Sequence, residues 1–83
     1  MLIKTTVMKK IVRFENQKYR LTYTLLSEDD VRYGIKVTCR YGNVIESENI
    51  WVGENRKNAL EILYLFAKET VFPVALRETY ENL

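Results

Sequence analysis

From Lys18 to Leu26, the residues Tyr19, Leu21, Tyr23 and Leu25 alternate with Lys18, Arg20, Thr22 and Thr24. From Val31 to Tyr41 the pattern repeats, with Tyr33, Ile35, Val37, Cys39 and Tyr41 set against Arg32, Gly34, Lys36, Thr38 and Arg40. A period of two places successive side chains on opposite sides of a strand, so these segments predict one apolar and one polar sheet face, the signature of an antiparallel sheet covered on one side. Val7 to Phe14 and Val44 to Val52 are also rich in β-branched and aromatic residues and read as strands. Glu15-Asn16-Gln17, Ser27-Glu28-Asp29-Asp30 and Gly42-Asn43 are short and carry turn formers, which predicts a meander of sequential neighbours.

The fourth strand admits two registers. A two-residue loop at Gly42-Asn43 turns Glu46 and Glu48 toward the apolar side. A three-residue loop from Tyr41 to Asn43 instead pairs Glu48 with Lys36 and Glu46 with Thr38 on the polar side. The cost of burying an unpaired carboxylate favours the three-residue loop, with a bulge near Ser47 to Asn49 returning Ile50 inward.

After Gly53 the period lengthens. Asn55 can cap a helix in which Ala59, Ile62, Leu63, Phe66 and Ala67 recur at helical spacing, widened by Leu60 and Leu65, with Lys57, Glu61 and Lys68 opposite. Pro73 ends that helix and suits the first turn of a second one, carrying Val74, Leu76, Tyr80 and Leu83. The expected fold class is therefore α+β: a four-stranded antiparallel meander sheet with two C-terminal helices packed on one face.

At 83 residues the chain fits a single domain spanning 1–83. Met8, followed by Lys9 and Lys10, offers an alternative start that would leave 1–7 as a ragged leader. No apolar run is long enough for a signal-peptide core or a membrane span, and the single cysteine, Cys39, cannot close an intramolecular disulfide. A reducing, cytoplasmic setting is the expectation.

The Tyr33-Gly34-Ile35 strand, the strand running into the helix that carries Asn55-Arg56-Lys57, and the closing Thr70-Val71-Phe72-Pro73-Val74-Ala75-Leu76 resemble a family of short uncharacterised bacterial proteins, a domain of unknown function known from spore-forming Gram-positive bacteria. The likeness spans Met8 to Leu83. It implies a bacterial intracellular setting and transfers no catalytic or binding residue.

Chemistry is sparse. The chain lacks histidine, the side chain that most readily titrates near neutral pH and the commonest metal ligand. Glycine-rich phosphate loops, nucleophile elbows and cysteine clusters are missing, Asp29-Asp30 lacks calcium-loop spacing, and the pairs Glu46/Glu48 and Glu78/Glu81 read as solvated charges. Cys39 reads as a small buried hydrophobe with no activating neighbour. The expectation is a non-enzyme without cofactor or metal.

Charge changes the picture. Met1 to Asn43 holds nine Lys or Arg against four acids, whereas Val44 to Leu83 holds four against seven. If Arg20, Lys36 and Arg40 stand with Thr22, Thr24 and Thr38 on the open sheet face, they form a positive, hydrogen-bonding surface for an acidic partner. Trp51, the only tryptophan, either anchors a partner or seals the edge of the core. The expected activity is that of a small cytoplasmic interaction or regulatory domain. It binds a protein partner, or another copy of itself, through its sheet face or through the lysine-bearing edge strand Val7 to Phe14, and no membrane is involved. Electrostatic nucleic-acid binding by the same basic face is the alternative, opposed by tyrosines that alternate onto the apolar side. A small enzyme is the remote third.

Overall fold

The computed structural model describes all residues, 1–83. Four strands, β1 (Leu2–Phe14), β2 (Gln17–Glu28), β3 (Arg32–Tyr41) and β4 (Val44–Gly53), form one antiparallel sheet in the order β1-β2-β3-β4. Helix α1 (Arg56–Lys68), a 3-10 turn (Pro73–Ala75) and helix α2 (Leu76–Glu81) follow. The fold is α+β, a meander sheet with two C-terminal helices.

Turn chemistry sets the registers. Phe14 pairs with Gln17, so Glu15 and Asn16 alone make the first turn, both at positive φ (48° and 67°) as a type I′ hairpin requires. The second loop holds Asp29, Asp30 and Val31 between the paired Glu28 and Arg32. In the third, Tyr41 pairs with Val44, and Gly42 takes φ +54° at the first central position, where only glycine enters freely.

The β4 register is therefore the two-residue one, and the expected three-residue loop with Glu48 opposite Lys36 is corrected. Glu46 lies opposite Cys39, Glu48 opposite Val37 and Ile50 opposite Ile35, with no bulge between Ser47 and Asn49. The one shift in this ladder falls between Tyr33 and Gly34. Burial cost does not forbid this register because the lid is short. Thirteen helical residues span about 20 Å, whereas the molecule is 42 Å long. The Val44 end of β4 is left uncovered, and Glu46 remains exposed on the nominally apolar side.

Strand β1 also differs from expectation. Leu2 to Thr6 pair with Thr24 to Glu28, a bulge follows between Thr6 and Met8, and the ladder resumes to Phe14. Residues Leu2 to Thr6 thus extend the strand beyond the expected start at Val7.

The core fills the space between sheet and lid. Leu21, Tyr23 and Leu25 of β2, Ile35, Val37 and Cys39 of β3, and Ile50 of β4 pack against Ala59, Leu63, Phe66 and Ala67 of α1, with Val71 and Leu76 beyond. The buried helical stripe is narrower than expected: Leu65 of α1 is exposed, as are Val74 and Leu83 near the C-terminus. Tyr33 joins the core, while Tyr19 and Tyr41 form its rim, their ring centroids 5.0 Å apart, with Phe72 packed edge-on against Tyr19.

Helix α1 is closed at both ends. The Asn55 side chain accepts the Asn58 N–H at 2.9 Å. At the other end Thr70 takes φ +56°, the Thr70 N–H bonds the Ala67 carbonyl and the Val71 N–H bonds the Phe66 carbonyl, which is a Schellman closure. Lys10 reaches over from β1 and donates to the Ala67 carbonyl and the Thr70 hydroxyl, adding positive charge where the helix dipole is negative. Asn55→Ala is expected to cost about 1 kcal/mol, read as a lowered urea midpoint with an unchanged slope.

Candidate functional site

Register decides what the open face displays. Even-numbered residues of β2 and β3 point away from the helices, because their odd-numbered neighbours form the core. Across the sheet this builds successive rows: Lys4, Leu26, Gly34, Trp51; then Thr6, Thr24, Lys36, Asn49; then Lys9, Thr22, Thr38, Ser47; then Ile11, Arg20, Arg40, Ile45; and finally Arg13 with Lys18.

The structure thus places Arg20, Lys36, Arg40 and Trp51 on one face. It brings Arg20 and Arg40 directly opposite each other on neighbouring strands. Lys4, Lys9, Arg13, Lys18, Arg20, Lys36 and Arg40 all stand on this face, and none lies in an ion pair. The only acid there, Glu28, is engaged by Arg32 at 3.0 Å. Like charges directly opposite each other on a sheet are destabilising, and nothing in the chain offsets them here.

Trp51 does not seal the core edge from the helix side. It lies outward across Gly34, with the Arg32 guanidinium carbon 3.9 Å from its ring centroid. A Cβ built on Gly34 would stand 2.9 Å from Trp51 Cε3 and 3.4 Å from Leu26 Cδ1, so the missing side chain lets the indole settle onto the sheet beside Leu26. Leu26 is 3% exposed although it belongs to the open face. Trp51 therefore works as a local cover, held from above by a cation–π contact.

The opposite end of the face is concave. Lys9, Ile11, Arg20, Thr22, Thr38 and Arg40 line an open depression of about 750 Å³. Three positive side chains and two hydroxyls face it, with an isoleucine at its side. Thr22 and Thr38 stand on this face as expected, and Lys9 is the contributor that sequence reading did not place there. Their alignment needs the two-residue turn at Glu15-Asn16 and the three-residue loop after Glu28, which together put Lys9 opposite Thr22 and Thr22 opposite Thr38.

The helix side carries the titration anomalies, and none lines this depression. Burial, and secondarily the nearby Cys39, pushes the Tyr23 hydroxyl up to about 12. Burial and the Glu46 carboxylate raise the Cys39 thiol, keeping it protonated and weakly nucleophilic. The hydrogen bond from Tyr41 Oη to Glu46 Oε1, 2.8 Å long, raises Tyr41. No three acidic, cysteine or histidine side chains converge into a metal-holding group. No helix is long and apolar enough to cross a membrane.

These features define a small α+β domain with a helical lid on one sheet face and an uncompensated basic surface on the other. The chain belongs to the Family of unknown function (DUF6514), whose model matches residues 2–83. That match includes the β1 segment ahead of Met8, where the resemblance read from sequence began. No curated protein and no solved structure matches significantly.

Proposed function

We propose that this protein is a non-enzymatic binding domain of the bacterial cytoplasm, and that it holds an acidic protein partner on the open face of its sheet. The observation that carries the reading is Arg20 set directly against Arg40 with no acid to relieve either. A solvated face needs polar residues, but it does not need seven unpaired cations around a lone, already engaged glutamate. An acidic partner supplies the missing countercharge, speeds encounter and fixes register.

Nucleic acid would satisfy the same charges. It is the weaker fit because no ring on this face is free to stack on a base. Tyr19, Tyr23, Tyr33 and Tyr41 lie on the helix side, and the Trp51 ring sits over Gly34 beneath Arg32.

The test uses a labelled glutamate-rich peptide and, separately, RNA and duplex DNA oligonucleotides, with anisotropy followed as salt is raised. The peptide should bind, lose affinity with salt, and bind on the order of tenfold or more weakly to the Arg20→Glu/Arg40→Glu double variant. Unchanged peptide binding by the double variant removes the open face from the reading. Oligonucleotides binding more tightly than the peptide replace the acidic protein with nucleic acid.

A further inference from the structure

We propose that Arg20, Arg40 and Lys9, with the hydroxyls of Thr22 and Thr38, form a site for the phosphoryl group of a phosphorylated segment of the partner. This rests on the open-face reading above and makes it more specific. The argument starts from spacing. Directly opposed residues on neighbouring antiparallel strands have Cβ atoms about 4.5–5.5 Å apart, and the next row on the same face lies two residues along, about 7 Å away. Arg20 and Arg40 are such a pair, and the next row holds Lys9, Thr22 and Thr38. Three cations and two hydroxyl donors therefore converge from three strands on one depression.

The neighbours of the pair leave no internal solution. Arg20 and Arg40 are flanked in their row by Ile11 and Ile45, both more than half exposed. Neither arginine makes a side-chain hydrogen bond within the chain, and neither threonine hydroxyl does. All five donor groups are free to meet a ligand.

The number of oxygens and charges then selects the anion. One guanidinium fork already satisfies the two oxygens and single charge of a carboxylate. A phosphodiester in a nucleic-acid backbone also offers two free oxygens and one charge. A phosphomonoester carries about −1.5 to −2 charges and three acceptor oxygens, enough to bridge both arginines and still reach Lys9. The depression, at about 750 Å³, is far larger than a lone phosphoryl group and open at its mouth, so the residues flanking the phosphorylated side chain can enter alongside Ile11. A phosphorylated protein segment fits this combination of charge, oxygen count and room.

Calorimetric titration tests it with the whole chain and three probes: an otherwise uncharged peptide bearing one phosphoserine, the same peptide with aspartate there, and the glutamate-rich peptide. Phosphoserine should bind at least about tenfold more tightly than aspartate. Arg20→Gln and Arg40→Gln should each abolish that preference, while Lys57→Gln, exposed on α1 and off this face, should keep it. Far-UV circular dichroism checks each variant's fold, and two independent arginine variants guard against one misfolding. Equal binding of phosphoserine and aspartate, or a preference that survives in both arginine variants, overturns the phosphoryl site while glutamate-rich binding keeps the open-face reading alive. Loss of all three probes overturns both.

Discussion

Replacing Gly34 with alanine is expected to lower stability by about 2 kcal/mol, and replacing it with valine by about 3 kcal/mol or more. Ordinary strand behaviour gives the opposite sign. Glycine inside a strand forfeits backbone entropy, and alanine normally recovers about 0.5–1 kcal/mol. At Gly34 a Cβ would stand 2.5 Å from the Ile50 carbonyl oxygen and 2.9 Å from Trp51 Cε3. The indole can swing away, but the carbonyl is ladder backbone in β4 and can yield only by distorting the sheet. Overpacking therefore outweighs the entropy gain. In a domain of 83 residues, with total stability of about 4–12 kcal/mol, such a loss removes a large share.

Two readouts separate this mechanism from a generic defect. Urea unfolding gives the size of the loss. Trp51 fluorescence reports the ring, which should move to a wetter environment in the alanine variant even under conditions where the chain stays folded. Alanine at position 34 with wild-type stability and unshifted fluorescence would mean that Trp51 does not rest on Gly34. The same close approach gives physical meaning to the glycine of Tyr33-Gly34-Ile35, one of the segments that carried the family resemblance.

Much of the fold was readable because β2 and β3 repeat a strict two-residue alternation and α1 switches to a helical period. The alternation also located the basic side chains correctly, since face assignment needs only parity within a strand. Pairing between strands needs loop lengths, and there sequence reasoning had less to use. Charge cost argued for a three-residue loop at Tyr41 to Asn43. That argument assumed a lid covering the whole sheet, whereas the lid leaves the Val44 end of β4 open and lets Glu46 accept from Tyr41 in solvent.

Trp51 was hard to place for a related reason. Its side of the sheet follows from the β4 register, and its seat exists only because a glycine on the neighbouring strand lacks a side chain. Likewise, the direct opposition of Arg20 and Arg40 depends on Val31 belonging to the loop and not to β3. The basic composition of the face was visible in the sequence, but the arginine pair was not.

Stability should fall steeply above pH 10, and Tyr23 should account for about 3 kcal/mol of that fall. The Tyr23 ring is wholly buried, and its hydroxyl donates to the Val71 carbonyl at 3.0 Å, tying β2 to the segment that follows α1. Losing the proton would put a phenolate charge in the buried core, near Cys39, so the folded-state pKa rises to about 12. In the unfolded chain the group titrates near about 10. A raised pKa means that the folded form holds its proton longer, so the stabilisation is complete below about pH 10 and is lost as pH climbs toward about 12. Tyr23→Phe removes that dependence and leaves the Val71 carbonyl without its partner, at a cost of about 1–2 kcal/mol near neutral pH. The two proteins should therefore exchange order. Urea midpoints from pH 8 to pH 11.5 should show wild type ahead at the start and the curves meeting at about pH 11. Every other side chain is common to the two proteins, so the difference between their curves isolates position 23. Parallel curves across that interval would show that Tyr23 ionises as freely in the fold as in the open chain, and that burial does not hold its proton.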